Sequence, residues 1–222
     1  PREIRVVAHA RADGDDVVVD CELIGERTLA NAAEPQRTVH FRGSVRMAQH
    51  PPDRPTGRKP PEGGRHLGSA QVYEVYFHGP AFQVLAEAWR SGDVAVGSMS
   101  ADLPGIGIAE DRLLMAPRLV ELCFQAAGVE EMGTEGRMGL PVRIASVATF
   151  DAPVPADGLH ALVERSGEDT FDCRVVDGRG AVVVAMEGYG TITLPAAVEE
   201  GVLGAFREAM ADGGSPDGAS GG

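Results

Sequence analysis

The stretch Leu114-Met115-Ala116-Pro117-Arg118-Leu119-Val120-Glu121-Leu122-Cys123-Phe124-Gln125-Ala126-Ala127-Gly128 restricts the fold more than any other part of the chain. It reads as one helix of about twelve residues, because its apolar run is longer than most strands. Pro117 fits the first helical turn, where its missing N–H is no loss, and Gly128 fits the left-handed position just past the end. Between them nearly every side chain is apolar or small on all faces, so the helix must be wrapped by other structure. Glu121 and Gln125 break that rule, and four residues apart they share one face. Either Glu121 reaches solvent through a gap in the packing, or it is buried. Burial makes a carboxyl group harder to ionise and raises its pKa, which suits a general acid at neutral pH.

A buried helix needs a sheet, and the rest of the chain offers strands. Glu3–Ala10, Val17–Ile24 and Thr38–Met47 form a first group, with a turn at Asp13-Gly14-Asp15 and a loop from Asn31 to Gln36. The stretch from residue 48 to 69 is rich in Pro and Gly and poor in large apolar residues, so it reads as a surface linker. Beyond it comes Val72-Tyr73-Glu74-Val75-Tyr76-Phe77-His78-Gly79-Pro80-Ala81-Phe82-Gln83. Strands follow at Val84–Arg90 and Asp93–Ser100, then the loop Leu103–Gly107 and the helix. A Glu- and Gly-rich loop to Met138 leads to four more strands: Pro141–Phe150, His160–Ser166, Thr170–Val176 and Ala181–Thr193. Asp177-Gly178-Arg179-Gly180 is the hairpin between the last two. Ala197–Met210 reads as an amphipathic helix and Asp212–Gly222 as a flexible tail. The expected organisation is therefore residues 1–47 as one group of strands, 48–69 as linker, 70–196 as sheet and helix, and 197–222 as helix and tail.

Charge and composition exclude several classes. A net charge of −13 over 222 residues, with no dense Lys/Arg run, disfavours nucleic acid. No apolar run approaches the about 18 residues of a membrane span, and no signal peptide opens the chain. Cys21, Cys123 and Cys173 are odd in number and lie far apart in apolar contexts. They read as buried thiols of a reducing compartment, not disulfides or metal ligands. A cytoplasmic location is the expectation. The chain starts at Pro1, so we expect a segment of something longer.

Strands, one buried helix and then a run of antiparallel strands is the order of an α+β hotdog, a curved sheet wrapped around a central helix. The residues also carry a family resemblance. Glu121-Leu122-Cys123-Phe124-Gln125-Ala126-Ala127-Gly128 resembles the E-x-x-x-Q-A-A-G helix of hotdog dehydratases that act on 3-hydroxyacyl carrier proteins. His78-Gly79-Pro80-Ala81-Phe82-Gln83 resembles the Y-G-P-x-F-Q motif of polyketide synthase dehydratase domains, where it opens the second of two fused hotdogs. Gly139-Leu140-Pro141 and Val176-Asp177-Gly178-Arg179-Gly180-Ala181 fall where that family has L-P and D-x-x-G.

The resemblance implies a double hotdog, with residues 70–196 as its C-terminal half and 1–47 as trailing strands of a truncated N-terminal half. It also implies elimination of water from a 3-hydroxyacyl thioester. In the family a His of the first hotdog takes the C2 proton, and a carboxyl group on the second hotdog's helix protonates the departing hydroxyl. Glu121 stands at that carboxyl position, Gln125 would orient it, and His78, Gly79, Pro80, Phe82, Leu140 and Pro141 would orient groups or line the substrate tunnel. No cofactor is implied beyond the phosphopantetheine of an acyl carrier protein, which carries the substrate. Partners would be that carrier protein and neighbouring synthase domains, with a homodimer formed through the synthase.

Two departures matter. None of the six His residues lies in the family's H-x-x-x-G-x-x-x-x-P motif, so the general base is missing and the segment alone should be inactive. His78 stands where the motif has Tyr, and next to Gly-Pro it reads as a packed or hydrogen-bonding residue. The alternatives are a non-catalytic acyl-binding or structural hotdog of a synthase, and a product-template-like cyclase.

Overall fold

The computed structural model describes residues 3–28, 35–50, 52–107, 113–150, 158–194 and 198–211. The chain divides into two compact units, one up to Asp53 and one from Arg54 onward. The tail from Asp212 lies outside the described residues, as does most of the loop expected from Asn31.

The first unit is a three-stranded antiparallel sheet in the order β1 (Glu3–Asp13), β2 (Asp16–Arg27), β3 (Gln36–Met47). Alternation along each strand puts side chains on two faces. Val6 lies opposite Leu23 and Leu23 opposite Phe41, while Val19 lies opposite Val45. This makes one face apolar, and Val6, Phe41, Val45 and Met47 on it are exposed. The other face carries charge pairs, among them Arg42–Glu22 at 2.8 Å and Arg46 with Asp13 at 2.7 Å.

In the second unit, one antiparallel sheet runs β4 (Leu67–Gly68), β5 (Leu85–Ser91), β6 (Val94–Met99), β9 (Leu159–Gly167), β10 (Thr170–Asp177), β11 (Val182–Thr193), β7 (Gly139–Arg143). A further strand, β8 (Ser146–Thr149), also pairs with β11. The single strand expected from Pro141 to Phe150 is thus two, interrupted at Ile144-Ala145, and both borrow the long strand β11 as partner. Asp177–Gly180 forms the expected turn, with the Asp177 carboxylate accepting the backbone N–H of Arg179 and Ala181.

The sheet curves around α2 (Pro117–Glu135), a helix of 19 residues that starts at Pro117 as anticipated. It does not end at Gly128. Gly128 sits mid-helix because the Tyr76 hydroxyl occupies the space beside it, 2.4 Å from where a Cβ would stand. The left-handed residue that ends the helix is Gly136, φ +70°, whose N–H bonds the Met132 carbonyl. The stretch expected as a loop therefore supplies two more turns, carrying Val129 and Met132 into the core. Leu122, Cys123, Ala127 and Met132 are fully buried. Burying a side chain the size of Leu122 contributes about 2 kcal/mol. This sheet wrapped on one helix is the hotdog fold.

Two short helices complete the unit. α1 (Ser69–Val75) begins on the last residue of the expected linker, and α3 (Glu200–Met210) buries Leu203 and Phe206 against the core. The linker expected at 48–69 is not free-running either. Leu67–Gly68 joins the sheet, and residues from Arg54 on strap a second cluster around Trp89, Phe150 and Val182 on the sheet's other side. Trp89 Nε1–H donates to the Pro61 carbonyl, and the Arg54 guanidinium lies over the Phe150 ring. Cys123 and Cys173 are buried free thiols. Cys21 is only half-buried.

Candidate active site

Two elements build the site. After α1 the backbone turns extended at Tyr76, and Pro80–Phe82 then makes one tight helical turn with Phe82 N–H on the Gly79 carbonyl at 2.9 Å. Gly79 and Pro80 are the residues that allow this turn. It lays His78 and the Phe82 carbonyl across the middle of α2, where Glu121 and Gln125 emerge on one face.

The contacts there are few and directional. His78 Nε2 lies 2.9 Å from Glu121 Oε1, and Gln125 Nε2 donates to the same oxygen at 2.9 Å. Gln125 Nε2 also donates to the Phe82 carbonyl at 2.8 Å, and its Oε1 accepts the Tyr73 hydroxyl at 2.7 Å. Tyr76 donates to the Gln125 backbone carbonyl at 2.9 Å. Gln83 holds the His78 carbonyl at 3.0 Å. The imidazole stacks on Phe77 and meets Tyr76 edge-on. Its Nδ1 is buried without a partner.

Glu121 keeps 19% of its side chain exposed, so it is neither a surface residue nor a sealed one. Burial pushes its pKa up, and the hydrogen bond from Gln125 and the nearby His78 oppose that rise. Gln125 Nε2 and His78 Nε2 converge on Oε1, and Oε2 has no hydrogen-bond partner among the described residues. With Gln125 donating to Oε1, Oε2 is the oxygen left open to carry a transferable proton.

Glu121 lines a pocket of about 240 Å³ together with His78, Gln125, Leu140 and Pro141. Aromatic and apolar walls come from Phe77, Phe124, Met138 and Tyr189. Of the residues singled out in the sequence, these five meet in one place. Phe82 contributes only its carbonyl, Gly79 only the turn, and Pro80 faces a separate concavity beside Tyr73. Among the described residues no other His lines the pocket. His9 and His40 lie on strands of the first unit. Among the same residues no three His, Cys, Asp or Glu side chains are grouped to hold a metal ion, and no helix is long and apolar enough to cross a membrane.

Sequence reasoning missed three participants. Tyr73 lies on α1 and Tyr76 just past its end, three residues apart, a helical spacing that was the available signal for both. Glu131 was hidden in the supposed loop. It is fully buried, with Oε1 accepting from Thr191 and Arg137 at 3.0 Å each. Its Oε2 fills the space a Cβ would need at Gly139, where the pocket wall begins. An apolar pocket with one carboxyl group, an adjacent amide and an imidazole can transfer a proton to or from a bound group.

A family model described as the polyketide synthase dehydratase N-terminal domain matches residues 50–201. The polyketide synthase GfsB of Streptomyces halstedii is 28% identical over 192 residues, which is 82% of this chain and 3% of that protein. The erythronolide synthase EryA2 of Saccharopolyspora erythraea is 24% identical over 164 residues, 72% of this chain and 4% of that one. The chain thus spans a few per cent of these relatives. Among solved structures, the dehydratase domain from the CurF module of curacin polyketide synthase has a TM-score of 0.64 at 19% identity, covering 87% of this chain and 69% of its own. A trans-AT polyketide synthase dehydratase domain from Brevibacillus brevis gives 0.64 at 19%, over 86% and 70%. With its family model covering most of the second unit and its fold shared with such domains, this chain belongs to the polyketide synthase dehydratase family.

Proposed function

We propose that this chain carries the acid half of a dehydratase site, with Glu121 as the general acid. The substrate is a 3-hydroxyacyl thioester on the phosphopantetheine of an acyl carrier protein, and neighbouring synthase domains supply that carrier. A base removes the C2 proton, the C2–H electrons form the C2=C3 double bond, and the C3–O bond breaks. The proton of Glu121 goes to the departing hydroxyl, and water leaves a trans-enoyl thioester. Gln125 orients the carboxyl group, and Leu140 and Pro141 form one wall of the acyl pocket. In this reading residues 70–196 are the C-terminal hotdog and residues 1–47 trailing strands of the other.

The observation that carries the reading is Oε2 of Glu121, without a hydrogen-bond partner among the described residues in an apolar pocket, while Oε1 is held by Gln125 Nε2 and lies 2.9 Å from His78 Nε2. A glutamate here reaches one methylene further than an aspartate would. That moves the acid by about 1.5 Å, a shift large enough to affect positioning. The base is a His outside this segment, because the pocket's own His78 is engaged with Glu121, so residues 1–222 alone should not turn over substrate. The test is Glu121→Gln in the complete dehydratase domain, assayed with a 3-hydroxyacyl carrier protein. Loss of about 10²–10⁴-fold in kcat with the fold intact is expected. Wild-type turnover overturns the assignment.

A further inference from the structure

Gln125 can present either its amide nitrogen or its oxygen to Glu121, and the two faces have opposite effects on a carboxyl group. A donor favours the ionised form. An acceptor favours the protonated form. What fixes the choice is outside the pocket. The Phe82 carbonyl, an acceptor, lies 2.8 Å from one amide terminus, which must therefore be nitrogen. On the other side the Leu85 N–H donates to the Tyr73 oxygen at 2.8 Å. That bond uses an acceptor site of the phenol and leaves its O–H directed at Gln125 Oε1, 2.7 Å away.

We propose that Tyr73 is a positioning residue that locks the Gln125 amide with its nitrogen toward Glu121, so that Oε1 is always the accepting oxygen and Oε2 the one that carries the transferable proton. The relay runs from the β5 backbone at Leu85 through Tyr73 and Gln125 to Glu121, and no member but Glu121 touches the acyl pocket's reacting group. Gln125 is 2% exposed, so no water competes for its oxygen. Without the Tyr73 hydroxyl, that oxygen and the Leu85 N–H both lose their partner, and the amide has reason to turn or retreat. Burial holds the Tyr73 pKa up at about 12, so the phenol keeps its proton throughout the neutral range. Other ionisable groups facing Glu121 are Tyr76 and His78 just after α1 and Tyr189 on β11, with Arg118 one turn earlier on α2 reaching the Ala81 carbonyl at 3.1 Å.

This inference rests on the proposed acid role of Glu121 for its catalytic meaning but not for its test. The experiment is a carbon-13 titration of the Glu121 carboxyl group in the full 222-residue chain and in Tyr73→Phe, with the Val120–Phe124 amide signals as the fold check. Losing a locked donor removes an influence that holds the carboxyl pKa down, so the Glu121 midpoint should move upward in the variant. A folded variant with an unmoved midpoint overturns the proposal. Should Tyr73→Phe fail to fold, the unsubstituted chain decides. A Tyr73 hydroxyl proton in slow exchange and two distinct Gln125 Nε2 protons support the lock, and rapidly averaged signals overturn it. Failure of the dehydratase reading shows separately, as undiminished turnover in Glu121→Gln.

Discussion

The Nε2 atoms of His78 and Gln125 stand at the same distance, 2.9 Å, from one oxygen of a third residue, Glu121 Oε1. One comes from an irregular loop and the other from the central helix, so the carboxyl group is clamped between two elements. The clamp opposes the rise in pKa that burial causes, and burial prevails.

That balance fixes the sign of a pH effect. A carboxyl group whose folded pKa lies above its unfolded value makes the native state bind more protons in the window between the two. Its contribution to stability falls as pH rises through that window and stays low above it. Glu121→Gln removes the ionisable group while keeping an oxygen that can accept from Gln125. The variant should therefore be at least as stable as the parent at neutral pH, and the difference should shrink as pH falls toward the ordinary carboxylate range. Urea unfolding at several pH values checks this, and a variant less stable at pH 7 than at pH 4 relative to the parent contradicts it.

A second outcome concerns Gly128. Helix propensity alone favours Ala by about 1 kcal/mol. At this position a Cβ would stand 2.4 Å from the Tyr76 hydroxyl, which also donates to the Gln125 carbonyl. Tyr76 is buried and cannot step aside cheaply. Gly128→Ala should be destabilising by about 1–3 kcal/mol, the usual effect of overpacking. Denaturant midpoints measure it, and a stabilised variant would mean that α1 and α2 separate easily.

How much of this was legible in the sequence follows from where the signals were local. The start of α2 at Pro117 and the turn at Asp177–Gly180 are governed by neighbours in the chain, and both stand as read. The pairing of Glu121 with Gln125 is an i, i+4 relation on one helix, equally readable. The end of α2 was not, because Gly128 and Gly136 look alike in sequence. Only Tyr76, packed in from just past α1, shows why the first lies inside the helix. The strap from Arg54 was obscure for a similar reason: Pro and Gly there read as a free linker, while Trp89 and Phe150, which they cover, lie far along the chain. Tyr73 on α1 is joined to Leu85 on β5 and to Gln125 on α2 by hydrogen bonds between separate elements, and no local pattern encodes those partners.

The last outcome concerns the three-stranded sheet of the first unit. Its apolar face leaves Val6 at 66%, Phe41 at 70% and Met47 at 58% exposed. These three lie on one face of neighbouring strands through the registers Val6–Leu23–Phe41 and Val17–Met47. Contiguous apolar surface of this kind drives association, and sheet edges add to it. The net charge of −13 opposes association only weakly once salt screens it. The 222-residue chain should therefore self-associate as concentration or salt rises. Phe41→Lys, placed on that face, should lower the association constant by about tenfold or more, since it removes a large apolar contact and introduces a charge. Sedimentation of both proteins at two salt concentrations tests this. Hydrogen exchange gives an independent reading, with slow amides from Val120 to Phe124 in the wrapped helix and faster ones from Val17 to Ile24. A strictly monomeric parent with uniform protection across both segments would mean that the exposed face is harmless and that the small sheet is as stable as the wrapped helix.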